Sequence, residues 1–456
     1  MTAPDGDRFG LSPEERTSLI ERLARRRTVE RTATERGTGR DFSTLPLSRQ
    51  LAAARDAAES LGLDNPYFRE HEGRAGARTR IAGREVLNFA SYDYLGLNGH
   101  PAVVAAAKEA IDRYGISTSA SRLVAGERPA HRALEERLAA LHGAEAALVF
   151  VSGHATAVST IATLCGARDL ILHDSLIHNS ALLGAQLSGA RRLAFPHNDW
   201  AALDDLLAQH RRRHDRALVV VESLYSMDGD VPDLVRFREV TLRHDAWLMV
   251  DEAHGIGVLG PAGRGIAASL GRGAELADIW MGTLSKTLAA CGGWIAGSRT
   301  LIEILRYGAG GFVYSVGLPP VLAAAASAAI DVMLAEPERA ERLRANGARF
   351  LAQAKAHGLD TGSSAGLSVV PVITRSSIDA AKVSARLLAR GINVLPILAP
   401  AVPEEAARLR FFVTAAHTAA EIDRAVEETA AALAEVRRDH RGLAALAARF
   451  GFGAPS

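Results

Sequence analysis

The middle of the chain alternates short apolar runs with longer stretches of helical spacing. The runs are almost continuously hydrophobic and lie at residues 146–151, 170–172, 217–222, 247–251 and 279–282. Strands of this composition are buried on both faces, which is typical of a mostly parallel sheet covered by helices. The pattern therefore predicts an α/β fold, and ligands of such sheets bind beyond the carboxyl ends of the strands.

The beginning of the chain has a different pattern. Residues 11–27 form a charged amphipathic stretch, residues 28–44 are rich in arginine, threonine and glycine, and residues 48–61 return to helical spacing. We predict that residues 1–84 are a helical extension and linker. We expect the early helix to pack on a partner subunit or to remain mobile, and a docking segment for another protein is the alternative.

Two further units follow this extension. Residues 85–335 form the predicted large domain with the parallel sheet. From residue 336 the chain has longer helices and short strands, near 368–372, 393–395 and 410–413. Residues 336–456 are therefore predicted to be a smaller C-terminal α+β domain.

Composition narrows the classes of partner. The 456 residues have a formal net charge of +1, so nucleic acid and anionic membranes are not expected partners. The two cysteines, Cys165 and Cys291, are too few for a disulfide scaffold and fit a reducing compartment. Residues 316–334 are apolar but contain two prolines and Asp331, which predicts a packed helix and no membrane span. The first residues have no basic and apolar leader, so we expect a cytoplasmic protein.

Lys286 is the residue around which the chemistry is organised. It follows the predicted strand at 279–282, stands between Ser285 and Thr287, and precedes a glycine pair, Gly292 and Gly293. A buried lysine at the mouth of a strand can form an imine with an aldehyde cofactor, because desolvation and nearby positive charge lower its pKa. The alternative for an isolated lysine is a surface residue in a turn.

Asp251 and His254 lie upstream, at the end of the strand at 247–251. An aspartate with a histidine three residues later can cap a helix, orient a catalytic base or bind a metal. No third metal ligand is nearby in the sequence, so we expect no metal site. A buried aspartate can instead keep a pyridine nitrogen protonated, which lets the ring withdraw electrons from a carbanion.

The motifs together resemble the α-oxoamine synthase family, whose members are pyridoxal-phosphate enzymes such as serine palmitoyltransferase, 8-amino-7-oxononanoate synthase and glycine C-acetyltransferase. The stretches that carry the resemblance occur in the family's order over roughly residues 85 to 435. They are NFASYDYLGL at 88–97, SRLVAG at 121–126, SGHATA at 152–157, HDSLIHNS at 173–180, ESLYSMDGD at 222–230, VDEAHGIGVLG at 250–260, TLSKTLAACGGWIAG at 283–297 and LRFFVTAAHT at 409–418.

The resemblance implies a fold and a set of catalytic residues. The fold would be the aspartate-aminotransferase-like fold type I, with a mostly parallel seven-stranded sheet. Lys286 would hold pyridoxal 5'-phosphate as an imine and act as acid and base at the substrate's α-carbon. Asp251 would pair with the pyridine nitrogen, His254 would contact the phenolic oxygen, and His178 would stack on the ring.

The resemblance also implies the remaining contacts to cofactor and substrate. The residues expected to hold the cofactor are Ser152, Gly153, His154, Ser226, Thr283 and Ser315. Those expected to bind substrate are Tyr92, Ser121 and Arg410, with Arg410 making a two-pronged contact to the amino acid's carboxylate.

Some positions depart from the family's usual pattern. Tyr92 stands where many members that use glycine or alanine have asparagine; its phenol could donate to the substrate carboxylate or could serve packing. His154 replaces a more common aromatic residue. Val316 stands where some members place a hydroxyl residue that reaches the partner subunit's phosphate, while Ser315 remains.

The implied activity is the decarboxylative condensation of a small amino acid with an acyl thioester, to give an α-amino ketone. The acyl donor would be acyl-CoA or an acyl group on a carrier protein, and the enzyme would be a homodimer. Two alternatives are an aminotransferase on the same fold and a non-catalytic subunit. The presence of Lys286, Asp251, His254 and His178 argues against the second alternative.

Overall fold

The computed structural model describes residues 40–60 and 62–449. The predicted amphipathic stretch at 11–27 lies outside the described residues. The first helix, α1 (Pro46–Ser60), corresponds to the stretch predicted as helical at 48–61. Its side chains Leu47 and Leu51 are exposed.

The strands alternate with helices through most of the described chain. In chain order the strands are β1 (Arg78–Ile81), β2 (Arg84–Asn88), β3 (Ala146–Phe150), β4 (Leu170–Asp174), β5 (Arg191–Phe195), β6 (Ala217–Glu222), β7 (Trp247–Asp251), β8 (Ile279–Thr283), β9 (Gly293–Gly297), β10 (Val369–Ile373), β11 (Ile392–Asn393), β12 (Leu395–Ile397) and β13 (Arg408–Phe412).

The helices after α1 complete the layers around these strands. They are α2 (Pro101–Tyr114), α3 (Pro129–His142), α4 (Gly153–Leu164), α5 (Asn179–Ser188), α6 (Trp200–His210), α7 (Leu234–Arg243), α8 (Ile266–Ser269), α9 (Arg299–Gly308), α10 (Gly310–Val313), α11 (Pro320–Ala335), α12 (Glu338–Ala356), α13 (Ser377–Ala389) and α14 (Ala419–Arg449).

Seven of the described strands form the central sheet, in the order β3-β9-β8-β7-β6-β4-β5. Neighbouring strands are parallel except at β9, which pairs antiparallel with both β3 and β8. Alternate residues of β6 belong to different cores: Leu218 and Val220 to one, Val219 and Val221 to the other. The sheet is therefore covered on both faces, as the apolar runs predict. The carboxyl ends of β4, β6, β7 and β8 consequently meet at one edge.

A hairpin near residue 84 connects the N-terminal segment to the C-terminal part of the chain. Strands β1 and β2 are joined by Ala82 and Gly83, both with positive φ (49° and 72°), which is the geometry of a two-residue hairpin turn. Leu87 and Phe89 pack into the core of the C-terminal helices and strands. The predicted domain boundary at residue 84 falls at the first residue of β2, inside this hairpin. Leu87 and Phe89, just after that boundary, are buried in the same core as Phe350 and Phe411.

The C-terminal unit consists of an antiparallel sheet, β10-β13-β12, packed against α12, α13 and α14. Strand β13 pairs with both β10 and β12, so its central residue Arg410 is held from two sides. This arrangement brings Arg410 toward the carboxyl edge of the central sheet.

The predicted apolar helix at 316–334 is observed as α11, which packs its alanines against the large core. Among the described residues no single helix is long and apolar enough to cross a bilayer. The two arms α11 and α12, bent by 78°, meet that length and composition test only when taken together.

Candidate active site

A cavity of about 390 Å³ opens at the carboxyl edge of the central sheet, between that edge and β13. Most of the residues predicted for the site line this one cavity. They are Tyr92, Ser152, Gly153, His154, His178, Ser226, Asp251, His254, Thr283, Lys286 and Arg410.

Two carboxyl groups end adjacent strands at the floor of the cavity. Glu222 is the last residue of β6 and Asp251 the last of β7, and the two are direct partners in the parallel register. Burial, and then the proximity of Asp251, raise the pKa of Glu222 to about 8. Burial also raises the pKa of Asp251, while Lys286 opposes that shift. The carboxyl group of Glu222 is therefore protonated at neutral pH.

Lys286 lies in the turn after β8. Burial lowers the pKa of its amine, and Asp251 and Glu222 partly restore it. The Nζ atom lies 5.8 Å from the centre of the Tyr92 ring. A desolvated amine above two carboxyl groups is suited to nucleophilic attack on a carbonyl and to proton transfer.

His254 reaches the cavity from the turn after β7 and is fixed from behind by Tyr94. Nδ1 of His254 lies 2.7 Å from the hydroxyl of the fully buried Tyr94. Burial lowers the pKa of His254 well below its usual range, and Lys286 and Arg410 add to this effect. The ring is therefore neutral, and its second nitrogen remains available to a ligand.

His178 occupies the N-cap position of α5. Its Nδ1 accepts from the amide of Ser180 at 3.3 Å and lies 2.7 Å from the Ser180 hydroxyl. Burial lowers the pKa of His178. Capping and a contact with the cofactor are thus compatible uses of this side chain, since the cap fixes the orientation of a neutral ring at the cavity wall.

The N-terminus of α4 borders the cavity on another side. Ser152 caps this helix, and the first intrahelical bond runs from Thr156 N to Ser152 O at 3.0 Å. The amides of Gly153 and His154 precede that bond, which is where helices bind phosphate groups.

Glycine is required for this close approach of helix and sheet. A Cβ on Gly153 would lie 2.8 Å from Thr283 Oγ1, and one on Gly293 would lie 2.6 Å from Gly153 Cα. The small residues after Lys286 therefore let the start of α4 lie directly beside Thr283, whose hydroxyl is 3.0 Å from Gly292 O.

Arg410 enters from the C-terminal unit. Its Nη1 donates to the carbonyl of Ser226 at 3.0 Å, and its guanidinium lies 4.7 Å from the centre of the Phe412 ring. Its Nε is buried without a hydrogen-bond partner in the described structure. Arg410 therefore retains donors for an anionic ligand.

Tyr92 stands at the mouth of the cavity, 39% exposed, with its ring edge-on to Phe412 at 4.7 Å between centroids. The sequence left open whether Tyr92 donates to the substrate carboxylate or serves packing. Both uses fit this position, because the ring packs on Phe412 while the residue still lines the cavity.

Ser121 and Ser315 do not line the cavity of this chain. Ser121 caps the π-helical turn Arg122–Gly126, and Ser315 follows α10. Sequence reasoning also left two residues without a role. Nothing in the sequence distinguishes Tyr94 from a core residue. Glu222, in contrast, ends an apolar strand as Asp251 does, and that position could have identified it as a site residue.

Comparisons with known proteins agree with this geometry. The family model "Aminotransferase class I and II" matches residues 84–428. The 8-amino-7-oxononanoate synthase of Methylobacterium sp. (strain 4-46) is 44% identical over 371 residues, which cover 80% of this chain and 93% of the relative. The putative 8-amino-7-oxononanoate synthase of Desulforudis audaxviator (strain MP104C) is 46% identical over 346 residues, 76% of this chain and 89% of the relative.

A solved structure shows the same fold. It is a lysine-to-alanine variant of serine palmitoyltransferase from S. paucimobilis, with bound PLP–myriocin aldimine. It is 30% identical to this chain, with a TM-score of 0.82 over 86% of this chain and 98% of that one.

These matches and the fold first define a class, the pyridoxal-phosphate enzymes of fold type I. Within that class the chain belongs to the α-oxoamine synthase family, which consists of pyridoxal-phosphate-dependent C-acyltransferases. The predictions of family, fold class, enzyme class and cofactor are confirmed.

The residues of the cavity fit pyridoxal phosphate. A helix N-terminus offers amides to the phosphate, Asp251 offers a buried carboxyl group, and Lys286 offers a desolvated amine. The buried Nε of Arg410 and Oε1 of Glu222 lack partners in the described protein, as expected where a ligand completes the hydrogen bonds.

Proposed function

We propose that this enzyme condenses a small amino acid with an acyl thioester and releases CO₂ and the free thiol, giving an α-amino ketone. One observation carries this proposal: Lys286, Asp251 and Arg410 meet in a single cavity although they come from different parts of the chain. The relatives named as 8-amino-7-oxononanoate synthases support it, because that name describes an α-amino ketone.

The proposed mechanism assigns a task to each of these side chains. Pyridoxal phosphate, when bound, supplies an electron-withdrawing ring. Asp251 would pair with the nitrogen of that ring, His178 would stack on the ring, and His254 would contact the phenolic oxygen. The phosphate would be held by Ser152, Gly153, His154 and Thr283, and Ser226 would lie near the cofactor's oxygen.

Lys286 and Arg410 act on the substrate. Lys286, with its lowered pKa, takes the proton from the α-carbon and later returns one. Arg410 holds the carboxylate with two parallel donors. The orientation of the bound amino acid would decide which bond at its α-carbon breaks, so Arg410's hold on the carboxylate would determine the reaction as well as the affinity.

We further propose a homodimer in which Ser121 and Ser315 complete the partner's site. Exposed apolar side chains flank both residues: Val124 near Ser121, and Tyr314 and Val316 beside Ser315. An obligate interface of more than ~2,000 Å² would cover such a surface. Light scattering on the purified enzyme should give twice the mass of one chain, and a monomer would reject this part.

Both cysteines are free thiols, which fits the proposed cytoplasmic compartment.

The test is a panel of substrates on the purified holoenzyme. Glycine, alanine and serine are each combined with acyl-CoA of several chain lengths and with acyl carrier protein thioesters, while CO₂ and free thiol are measured. We expect equal amounts of both, with the nitrogen retained in the product. A keto acid without thiol release would indicate an aminotransferase, and the absence of any product in the whole panel would reject the proposal.

A further inference from the structure

A histidine behind the cavity connects two of the loops that form it. His197 follows β5, and each of its ring nitrogens meets a carboxylate. Nδ1 lies 2.9 Å from Asp174 Oδ1, and Nε2 lies 2.9 Å from Asp230 Oδ2. His197 itself does not line the cavity.

The two carboxylates determine the charge of this ring. Ionised carboxylates only accept hydrogen bonds, and a neutral imidazole donates from one nitrogen alone. Both contacts are satisfied only when both nitrogens carry protons. Tyr225 packs on the ring edge-on at 4.4 Å between centroids, and Nδ2 of Asn198, which donates to Asp230 Oδ2 at 3.2 Å, lies 3.4 Å from Nε2. Asp174 and Asp230 together raise the pKa of His197 to about 10, against the effect of burial.

Asp174 organises the loop that leads to His178. Its Oδ1 accepts the amide of Leu176 at 2.8 Å, and its Oδ2 accepts the amide of Asn198 at 2.7 Å. The carboxylate therefore fixes the turn directly after β4. Four residues beyond Asp174 the chain reaches His178 at the cavity wall.

Asp230 organises the loop that carries Ser226. Its carbonyl accepts the amide of Tyr225 at 2.9 Å, which closes the loop. Its Oδ2 accepts the hydroxyl of Ser363 from the C-terminal unit at 3.1 Å. Within this loop the carbonyl of Ser226 accepts from Arg410, so the position of the loop determines where the guanidinium is held.

We infer that His197 is a positioning residue: as a cation shared by Asp174 and Asp230, it holds the loops of His178 and Ser226 at a fixed separation, and through Ser226 it aligns Arg410 with the substrate carboxylate. The part that concerns substrate rests on the proposed function. The bridge itself does not depend on that function.

The first test measures the protonation of the ring. Histidine labelled with ¹⁵N is incorporated into the full-length holoenzyme, and its nitrogen resonances are recorded at pH 8.5. We expect one ring with both nitrogens protonated, absent from His197→Gln. A neutral ring at that pH would overturn the inference, whatever reaction the enzyme catalyses.

The second test separates positioning from folding. In His197→Gln we expect the dissociation constant of the amino acid, from titration of the cofactor's absorbance, to rise at least about tenfold, since a hydrogen bond to a charged group is lost. The affinity for the cofactor should fall by a smaller factor, because the contacts of Lys286 and Asp251 are untouched and only those of His178 and Ser226 are affected. Unchanged amino-acid affinity would overturn the inference.

A conservative variant and a matched control complete the design. In Asp230→Asn the amide can donate to a neutral His197, so amino-acid affinity should remain within about threefold of wild type, while the doubly protonated signal disappears at pH 8.5. A tenfold loss in this variant would contradict positioning by hydrogen bonds.

His244→Gln removes another histidine–aspartate pair, with Asp204 at 2.6 Å, near the start of β7, and should leave amino-acid affinity unchanged. If His197→Gln does not fold, the wild-type spectrum and Asp230→Asn still decide the question.

Discussion

The hydroxyl of Tyr94 lies 2.7 Å from Nδ1 of His254, and both residues are buried. This contact fixes the plane of the His254 ring and occupies one of its nitrogens. Because His254 also lines the cavity, its other nitrogen is the one that can contact a ligand there. Tyr94 thus supports a side chain that we propose to contact the cofactor, without lining the cavity itself.

Replacing Tyr94 by Phe should destabilise the protein, because Nδ1 of His254 would be buried without a partner. We expect a decrease of about 1–3 kcal/mol in the free energy of unfolding, measured by urea denaturation of the cofactor-free protein. Tyr67→Phe is the control: its hydroxyl donates to Pro396 O near the surface, and the loss should stay below about 1 kcal/mol. Equal losses in both variants would contradict the role of Tyr94.

Replacing Lys286 by Ala should abolish the absorbance of the lysine-bound cofactor. Turnover should fall by about 10²–10⁴-fold or more, because proton transfer at the α-carbon is lost. The measurement is the visible spectrum of the purified variant beside its rate of thiol release. Lys355→Ala, on the exposed face of α12, should behave as wild type. An unchanged yellow spectrum in Lys286→Ala would reject the assignment.

Arg410→Lys should weaken amino-acid binding, because an ammonium group cannot reproduce the two parallel donors of a guanidinium. We expect the dissociation constant for the amino acid to rise about 10- to 100-fold, as one charged hydrogen bond is lost. Cofactor affinity should change little. The matched control is Arg349→Lys, which alters a partly exposed pair with Asp423. If both variants bind the amino acid equally well, Arg410 is not the carboxylate ligand.

Glu222 should make the stability of the cofactor-free protein depend on pH. Its pKa is about 8 in the folded chain and about 4.3 in the unfolded one. The folded state therefore binds this proton more tightly, so the contribution to stability is fully present below about pH 4.3 and is lost as the pH rises through 8.

The Glu222→Gln variant tests this dependence. The amide does not titrate, so the decrease in unfolding free energy between about pH 4.3 and 8 should be smaller than in wild type. Urea denaturation at several pH values measures it. The exposed Glu303 on α9 supplies the control substitution Glu303→Gln, which should follow the wild-type curve. The same slope in Glu222→Gln and wild type would show that this carboxyl is not the titrating group.

Tyr92→Phe distinguishes the two uses of that residue, since the ring remains on Phe412 while the hydroxyl is removed. We expect the phenol to contribute to substrate binding, so the dissociation constant for the amino acid should rise about 3- to 10-fold. Titrations with glycine, alanine and serine measure it. Unchanged affinity for all of them would leave Tyr92 a packing residue.

Much of the fold could be predicted from the pattern of residues. The apolar runs at 217–222 and 247–251 are observed as β6 and β7 with the same limits. A strand that is apolar at every position has no solvent-facing side, so burial on both faces follows from its composition. Lys286 and Asp251 could be placed near each other because parallel strands that end in polar residues bring those ends to one edge.

Contacts between segments distant in the chain could not be predicted from the sequence in the same way. Tyr94 and His254 are 160 residues apart, and His197 bridges two loops that no local pattern relates. A hydrogen bond between such residues depends on distances of a few tenths of an ångström, whereas sequence spacing limits only residues on the same helix or strand.

The residue pattern alone predicts five strands of the central sheet, the positions of Lys286 and Asp251 at strand ends, and the family, because each follows from local periodicity or from an ordered series of motifs. Three contacts became visible only in the folded structure: Glu222 lies beside Asp251, Tyr94 hydrogen-bonds to His254, and Arg410 donates to the carbonyl of Ser226. The reason is physical: the charge state and orientation of a buried polar group depend on the neighbours that replace water around it, and those neighbours come from parts of the chain that only folding brings together.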